Sequence, residues 1–152
     1  GDGYFVTYRK LPGEERIKRG GQNYMAGYYE PCEEFDICNR LIEKYWESRQ
    51  FELCFQGYLK LAEETNYPLA ECQVGYFYLE GIGVAKDLER AFYWTERGAM
   101  HGDRDAQYNL AVMYEEGIGT EFNQEEAIHW YKAARAQGHN LAEEKCKELN
   151  IE

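Results

Sequence analysis

The chain has 152 residues, 44% of them hydrophobic, and carries 17 Lys and Arg against 28 Asp and Glu, a formal charge of −11 with a pI near 4.8. This length suits one domain of ordinary size, and no apolar run is long enough to cross a membrane. Like-charge repulsion disfavours a role that neutralises nucleic-acid phosphates or sits on an anionic lipid surface, so a protein or peptide partner with basic groups is easier to accommodate.

Residues 1–31 are a different material from the rest. They hold five Lys and Arg against four Asp and Glu, with six glycines and five tyrosines, and leave twelve against twenty-four for residues 32–152. Short β-prone stretches at Tyr4–Tyr8 and Asn23–Tyr29 flank the turn-forming Leu11–Gly21. That pattern predicts an extended or β-hairpin-like N-terminal arm, either packing its tyrosines on the first helix pair or adapting to a partner. No signal sequence is visible, and the start at Gly1-Asp2-Gly3 without methionine fits a tag remnant or a mature form cut from a longer precursor. The compartment stays open between cytoplasmic and exported.

Next comes a degenerate helical unit over 33–66. Phe35, Cys38, Leu41, Ile42 and Tyr45 make one amphipathic helix, and Leu53, Cys54, Phe55, Tyr58, Leu61 and Ala62 make another, joined around Glu47–Gln50. Its connection lacks a Gly-x-Gly, which predicts a tighter, more ordinary hairpin. From residue 68 the devices become periodic. Ala70, Gly75, Tyr78, Gly81, Gly83, Asp87, Ala91, Trp94 and Gly102 return thirty-six positions later as Ala106, Ala111, Tyr114, Gly117, Gly119, Asn123, Ala127, Trp130 and Gly138. Asn66 and Pro68 supply start signals for the first helix of this unit, and the paired glycines stop it, because glycine takes positive φ without strain. Asp87 caps the second helix; in the following unit Asn123 caps, with Glu126 completing a capping box. Leu141, Ala142, Cys146 and Leu149 begin a third copy that stops after one helix, with Glu143, Glu144, Lys145, Lys147 and Glu148 outside, as a terminal cap does. The division is therefore an arm over 1–31 and a repeat domain over 32–152, with full repeats at 68–103 and 104–139 and a capping helix at 140–150.

A period of this size means that each unit cannot bury its own apolar face and must stack on a neighbour. The expected fold is all-α, a short α-solenoid of stacked antiparallel helix pairs. The pattern A-x-x-x-[VL]-[GA]-x-x-Y-x-x-G-x-G, then [DN]-x-x-x-A-x-x-W and a closing G, resembles the Sel-one-like repeat, a relative of the tetratricopeptide repeat. Residues 68–139 carry two full copies; 33–66 and 140–150 are weaker matches. Ala111 in place of Gly75 and Thr120 in place of Val84 depart from the pattern and touch only local packing. The resemblance implies first helices that line a concave face and a role as adaptor or scaffold for protein partners, not as an enzyme. Relatives with a regular cysteine pair in each repeat are braced by disulfides, and some are linked to penicillin binding. This chain has no such pair, so neither property is carried over.

The chemistry agrees with a binding role. Ser48 is the only serine and is followed by Arg49-Gln50-Phe51, with neither Ser-x-x-Lys nor nucleophile-elbow glycines. His101, His129 and His139 have no local Cys-His signature, and no His-x-x-x-His or Cys-x-x-Cys occurs, so no catalytic, cofactor or metal residue is assigned. Gly81-x-Gly83 and Gly117-x-Gly119 follow helices and lack the lysine of a phosphate loop. The odd set Cys32, Cys38, Cys54, Cys72 and Cys146 reads as free thiols packed as small hydrophobes, with a Cys32–Cys38 bridge open if the protein is exported.

With Ala70, Val74 and Tyr78 committed to packing, the adjoining stripe of the first helices is the expected partner-binding wall: Leu69, Cys72, Tyr76, Leu79, Glu80, Tyr108, Val112, Glu115 and Glu116. Tyrosine interleaved with carboxylate suits a peptide or helix bearing Lys or Arg. The bland alternative is that Tyr76 and Tyr108 merely pack against the next repeat. The expected function is a non-catalytic protein-interaction module. An immunity or inhibitor protein that neutralises one effector is a sharper version, and a cell-envelope hydrolase or penicillin-interacting protein is the rival from another class. A fragment of a longer repeat protein is a third reading.

Overall fold

In the computed structural model, Tyr29 and residues 32–152 are described; the expected arm lies outside them apart from Tyr29. Pro68, whose ring fixes φ and whose missing N–H is no loss in a first turn, opens the helix on which the architecture is centred. Among the described residues there are seven α helices and no strand: α1 Glu33–Leu41, α2 Phe51–Thr65, α3 Pro68–Glu80, α4 Leu88–Met100, α5 Arg104–Glu116, α6 Gln124–Ala136 and α7 Asn140–Glu148. Each packs chiefly on its neighbours in sequence, the helix-pair stack expected of a solenoid.

Side-chain caps start the second helices. Asp87 accepts from the Arg90 N–H at 3.0 Å and Asn123 from the Glu126 N–H at 3.1 Å, each worth about 1 kcal/mol. The capping box expected at Asn123 and Glu126 closes differently on its return side. The Asn123 N–H goes to the Tyr114 carbonyl at 2.9 Å, as the Asp87 N–H goes to that of Tyr78 at 2.9 Å, so each turn folds back on its own first helix. Asn66 differs from expectation too. Its φ of 56° closes α2, and the extended Tyr67 stands as the cap of α3.

The two glycines of each turn have separate tasks. Gly81 and Gly117 end α3 and α5 in the left-handed region, at φ 69° and 68°, and the following amides of Ile82 and Ile118 return to the carbonyls of Phe77 and Met113. Gly83 and Gly119 are also left-handed, but their constraint is space. A Cβ at Gly83 would run into the carbonyl of Phe51, the first residue of α2, and one at Gly119 into that of Leu88, the first residue of α4. The second glycine is thus the seat by which a repeat rests on the helix pair before it. The first unit, without such glycines, does not turn tightly as expected. α1 widens into a π-type turn over Ile42–Trp46, with i to i+5 bonds from Glu47 to Ile42 and Gln50 to Tyr45, and Arg49 takes the left-handed φ of 63°.

α3 is enclosed by α2, α4 and α5, which explains why it buries polar as well as apolar side chains. Phe77 gathers Trp46, Phe55 and Tyr58 around it at 5.7–5.9 Å. Glu71, fully buried, pairs with Arg97 Nε at 3.1 Å and His101 Nδ1 at 2.6 Å. One repeat later the positions of Glu71 and His101 hold Gln107 and Gln137, and the Gln137 amide donates to the Gln107 oxygen at 2.8 Å, so an ionic bridge is replaced by a neutral hydrogen bond, with Ala133 in the place of Arg97. All five cysteines are free; Cys38, Cys54, Cys72 and Cys146 are buried, and burial raises the Cys38 thiol and takes that of Cys54 up to about 12. The Cys32–Cys38 bridge is not formed.

Alanine substitutions should separate the two glycine tasks. Gly81→Ala meets backbone strain and Lys86, whose Cβ stands 3.2 Å and backbone nitrogen 3.4 Å from the added methyl, a loss of about 1 kcal/mol. Gly83→Ala and Gly119→Ala must also push apart two backbones, a loss of about 3 kcal/mol or more. Urea unfolding measures both; equal losses at positions 81 and 83 would contradict the seating.

Candidate functional site: the inner wall of the first helices

The first helices α3 and α5 touch each other as well as the second helix between them, and the wall expected of them is the candidate site. Of the nine residues expected on this wall, Leu69, Cys72, Leu79, Tyr108 and Val112 are buried. Leu79 packs with Ala91 and Met113, and Tyr108 and Val112 join Tyr131, Ala134 and Ala142. Glu80 and Glu116 are exposed and Tyr76 is half-buried. Burial and, after it, the charge of Glu80 one helical turn on raise the Tyr76 phenol above its ordinary value. Glu115 is partly committed, accepting from the Tyr131 hydroxyl at 2.7 Å and from Lys145 Nζ at 3.2 Å. What reaches the surface is therefore Tyr76, Glu80 and Glu116, with Glu115 at their edge.

At the N-terminal ends of the same helices lies a constellation that the repeat pattern does not announce. Tyr29 sets its ring 5.2 Å from Tyr67 and 6.2 Å from Phe35, and its hydroxyl donates to Asp103 Oδ2. Asp103, buried at the start of α5, also accepts the Cys72 thiol and, at 2.7 Å, the Ala106 N–H. Burial first, and then the charge of Asp105, raise its carboxyl to about 6 against the pull of these three donors. Burial and the Asp103 carboxylate in turn raise the Tyr29 phenol. Thirty-six residues on, His139 stands where Asp103 does. Its Nδ1 accepts the Ala142 N–H, its Nε2 faces Asp105 Oδ1 at 3.1 Å, and its ring stacks on Tyr108 at 4.7 Å.

Ser48 Oγ donates to the carbonyls of Lys44 and Tyr45 at the end of the first unit's wide turn, and the Gln50 amide donates to it. Among the described residues no three His, Cys, Asp or Glu converge as a metal would require, and no helix is long and apolar enough to cross a membrane.

The Sel1 repeat family model matches residues 68–103 and 104–139, the two units whose caps and turns superpose in kind. The chain is a Sel1-like repeat protein. A Sel1 repeat protein from Oxalobacter formigenes shares 34% identity over 64% of this chain and 28% of its own, with a TM-score of 0.62. A protective antigen of uropathogenic Escherichia coli strains displaying an SLR fold matches at 24% identity, 88% of this chain, 27% of its own and a TM-score of 0.64. Cysteine-rich protein B of Helicobacter pylori matches at 23%, over 85% of this chain and 87% of its own, with a TM-score of 0.60. The latter two likenesses are of fold alone, and the chain spans little more than a quarter of the first two structures. No curated protein matches the sequence. Sel1 repeats generally serve as protein-interaction modules, and their fold is typically a non-catalytic scaffold.

The Asp103 environment gives this Sel1-like repeat protein a signed pH dependence. The folded carboxyl, at about 6, holds its proton more tightly than the unfolded one near 3.8, so folding is favoured as pH falls from 6 toward 4 and loses that contribution as pH rises through 6. Asp103→Asn keeps the Ala106 N–H on an amide oxygen and turns an amide N–H toward the Tyr29 hydroxyl, which can accept it, without the titration. Thermal melts should show a larger gain from pH 7 to pH 5 in the wild type than in the variant, and a variant at least as stable as wild type at pH 7. Parallel profiles would contradict it.

Proposed function

We propose that the chain is a non-catalytic interaction module that grips a protein or peptide segment bearing Lys or Arg along the inner wall of its first helices. The observation that carries this is the composition of what that wall leaves at the surface: half-buried Tyr76 with Glu80 one helical turn beyond it on α3, and Glu116 on α5. A half-buried tyrosine loses little side-chain freedom on docking, and the carboxylates at the helix C-terminal ends draw in and orient a cation. The net charge of −11 extends that attraction beyond the contact itself. The buried apolar residues of the wall hold the helices in place, and the exposed ones select.

Selection from a random peptide display library tests this. Bound sequences should be enriched in Lys and Arg, weaken as salt rises, and lose about tenfold in affinity when Glu80→Lys and Glu116→Lys are combined, with helicity and melting unchanged. Enrichment of acidic sequences, or indifference to the charge reversal, would overturn the assignment.

A further inference from the structure

The two repeats fill one position of the inner wall in opposite ways. In the second, Tyr108 of α5 lays its own ring against His139, the cap of the next first helix, at an interplanar angle of 11°. In the first, the counterpart of Tyr108 is Cys72 and the counterpart of His139 is Asp103. A thiol is much smaller than a phenol, and the aromatic ring beside this carboxylate comes from outside the repeat: Tyr29, seventy-four residues before the Asp103 that it contacts. The result is a recess walled by Phe35, Tyr67 and Cys72, with the Asp103 carboxylate at its base. Its present occupant is joined to the helical stack through residues 30 and 31 and then Cys32.

We propose that this recess is a tyrosine-recognition subsite of the inner wall, occupied in cis by Tyr29, and that a partner engages it by inserting a tyrosine from an extended segment in Tyr29's place. The proposal rests on reading the inner wall as the docking surface and names one side chain of the partner. The flat aromatic walls fit a ring. The buried carboxylate needs a donor, which a phenol supplies and a phenylalanine does not. Exchange of one tyrosine for another leaves every contact remade, so the balance is set by how often the cis ring is out of the recess. Tethering gives that ring an effective concentration of order millimolar, a threshold that an isolated segment meets only when its flanking residues add contacts. Half-exposed Asp105, beside Asp103, offers such a contact to a flanking Lys or Arg, while Glu80 and Glu116 stand at the far ends of α3 and α5.

The test uses the full chain and a fluorescein-labelled peptide of residues 16–31, which carries Arg16, Lys18 and Arg19 as flanking cations, followed by anisotropy. The Tyr29→Ala chain should bind it about tenfold or more tighter than wild type, with Tyr29→Phe between them, since it loses the hydroxyl and keeps the ring. Adding Cys72→Tyr to Tyr29→Ala supplies a phenol as Tyr108 does in the second repeat and should abolish binding. A peptide with phenylalanine at the Tyr29 position should bind about fivefold or more weaker, the loss of one hydrogen bond to a carboxylate. If Tyr29→Ala melts below the assay temperature, the ranking of wild type against Tyr29→Phe decides by the same criterion. Equal binding by wild type and variant, no binding up to ~1 mM, or binding unaffected by Cys72→Tyr would overturn the proposal. Those results leave the display selection through Glu80 and Glu116 untouched, so failure of the subsite is distinguishable from failure of the docking wall.

Discussion

The stack depends on two places where backbone lies directly on backbone. At Gly83 and Gly119 the chain has positive φ and no side chain, and it rests against the opening residue of the second helix one unit earlier, Phe51 or Leu88. A side chain at either point would hold successive units apart. With the glycines seated, the first helices come together, α3 is enclosed on three sides, and an inner wall exists at all. The periodic glycines are therefore a joint between units as well as a reversal within each.

On this common frame the two repeats differ in what fills it. The buried bridge is Glu71 with Arg97 and His101 in one and Gln107 with Gln137 in the other. Gly75 gives Thr95 room that a Cβ would take, whereas Ala111 and Tyr131 occupy the matching positions in the second repeat. The same divergence places a thiol at Cys72 and a phenol at Tyr108. Backbone devices repeat because the joint demands them; side chains vary because several fillings satisfy the same space. In such a protein individuality, and with it partner choice, resides in the fillings.

Much of the frame was legible in the residues themselves. Asp87 and Asn123 cap where a short acceptor before a helical pattern says that they should, and Gly81 and Gly117 stop helices for a reason local to each turn. The wall was only partly legible. Helical periodicity says which residues share a stripe, yet not how many neighbours cover it, so Leu69, Cys72, Leu79, Tyr108 and Val112 share a stripe with Tyr76 and Glu80 but are buried. Glu71 ran against the rule that carboxylates stay outside, since its partners lie twenty-six and thirty residues away. The Tyr29 seat had no local signal; only comparison of Cys72 with Tyr108 hints at a missing ring. The return half of the capping box failed because a carbonyl of the first helix, that of Tyr114, takes the same N–H.

The most direct check on the joint is a set of proton–proton distances in solution. Cross-relaxation spectra should connect the α-protons of Gly83 with the amide of Glu52, and those of Gly119 with the β-protons of Phe92, since both pairs flank positions where a Cβ would stand only about 3.0 Å away. Absence of these cross-peaks in a folded, helical sample, or their replacement by contacts to other turns of α2 and α4, would show that the units do not rest on one another through their second glycines.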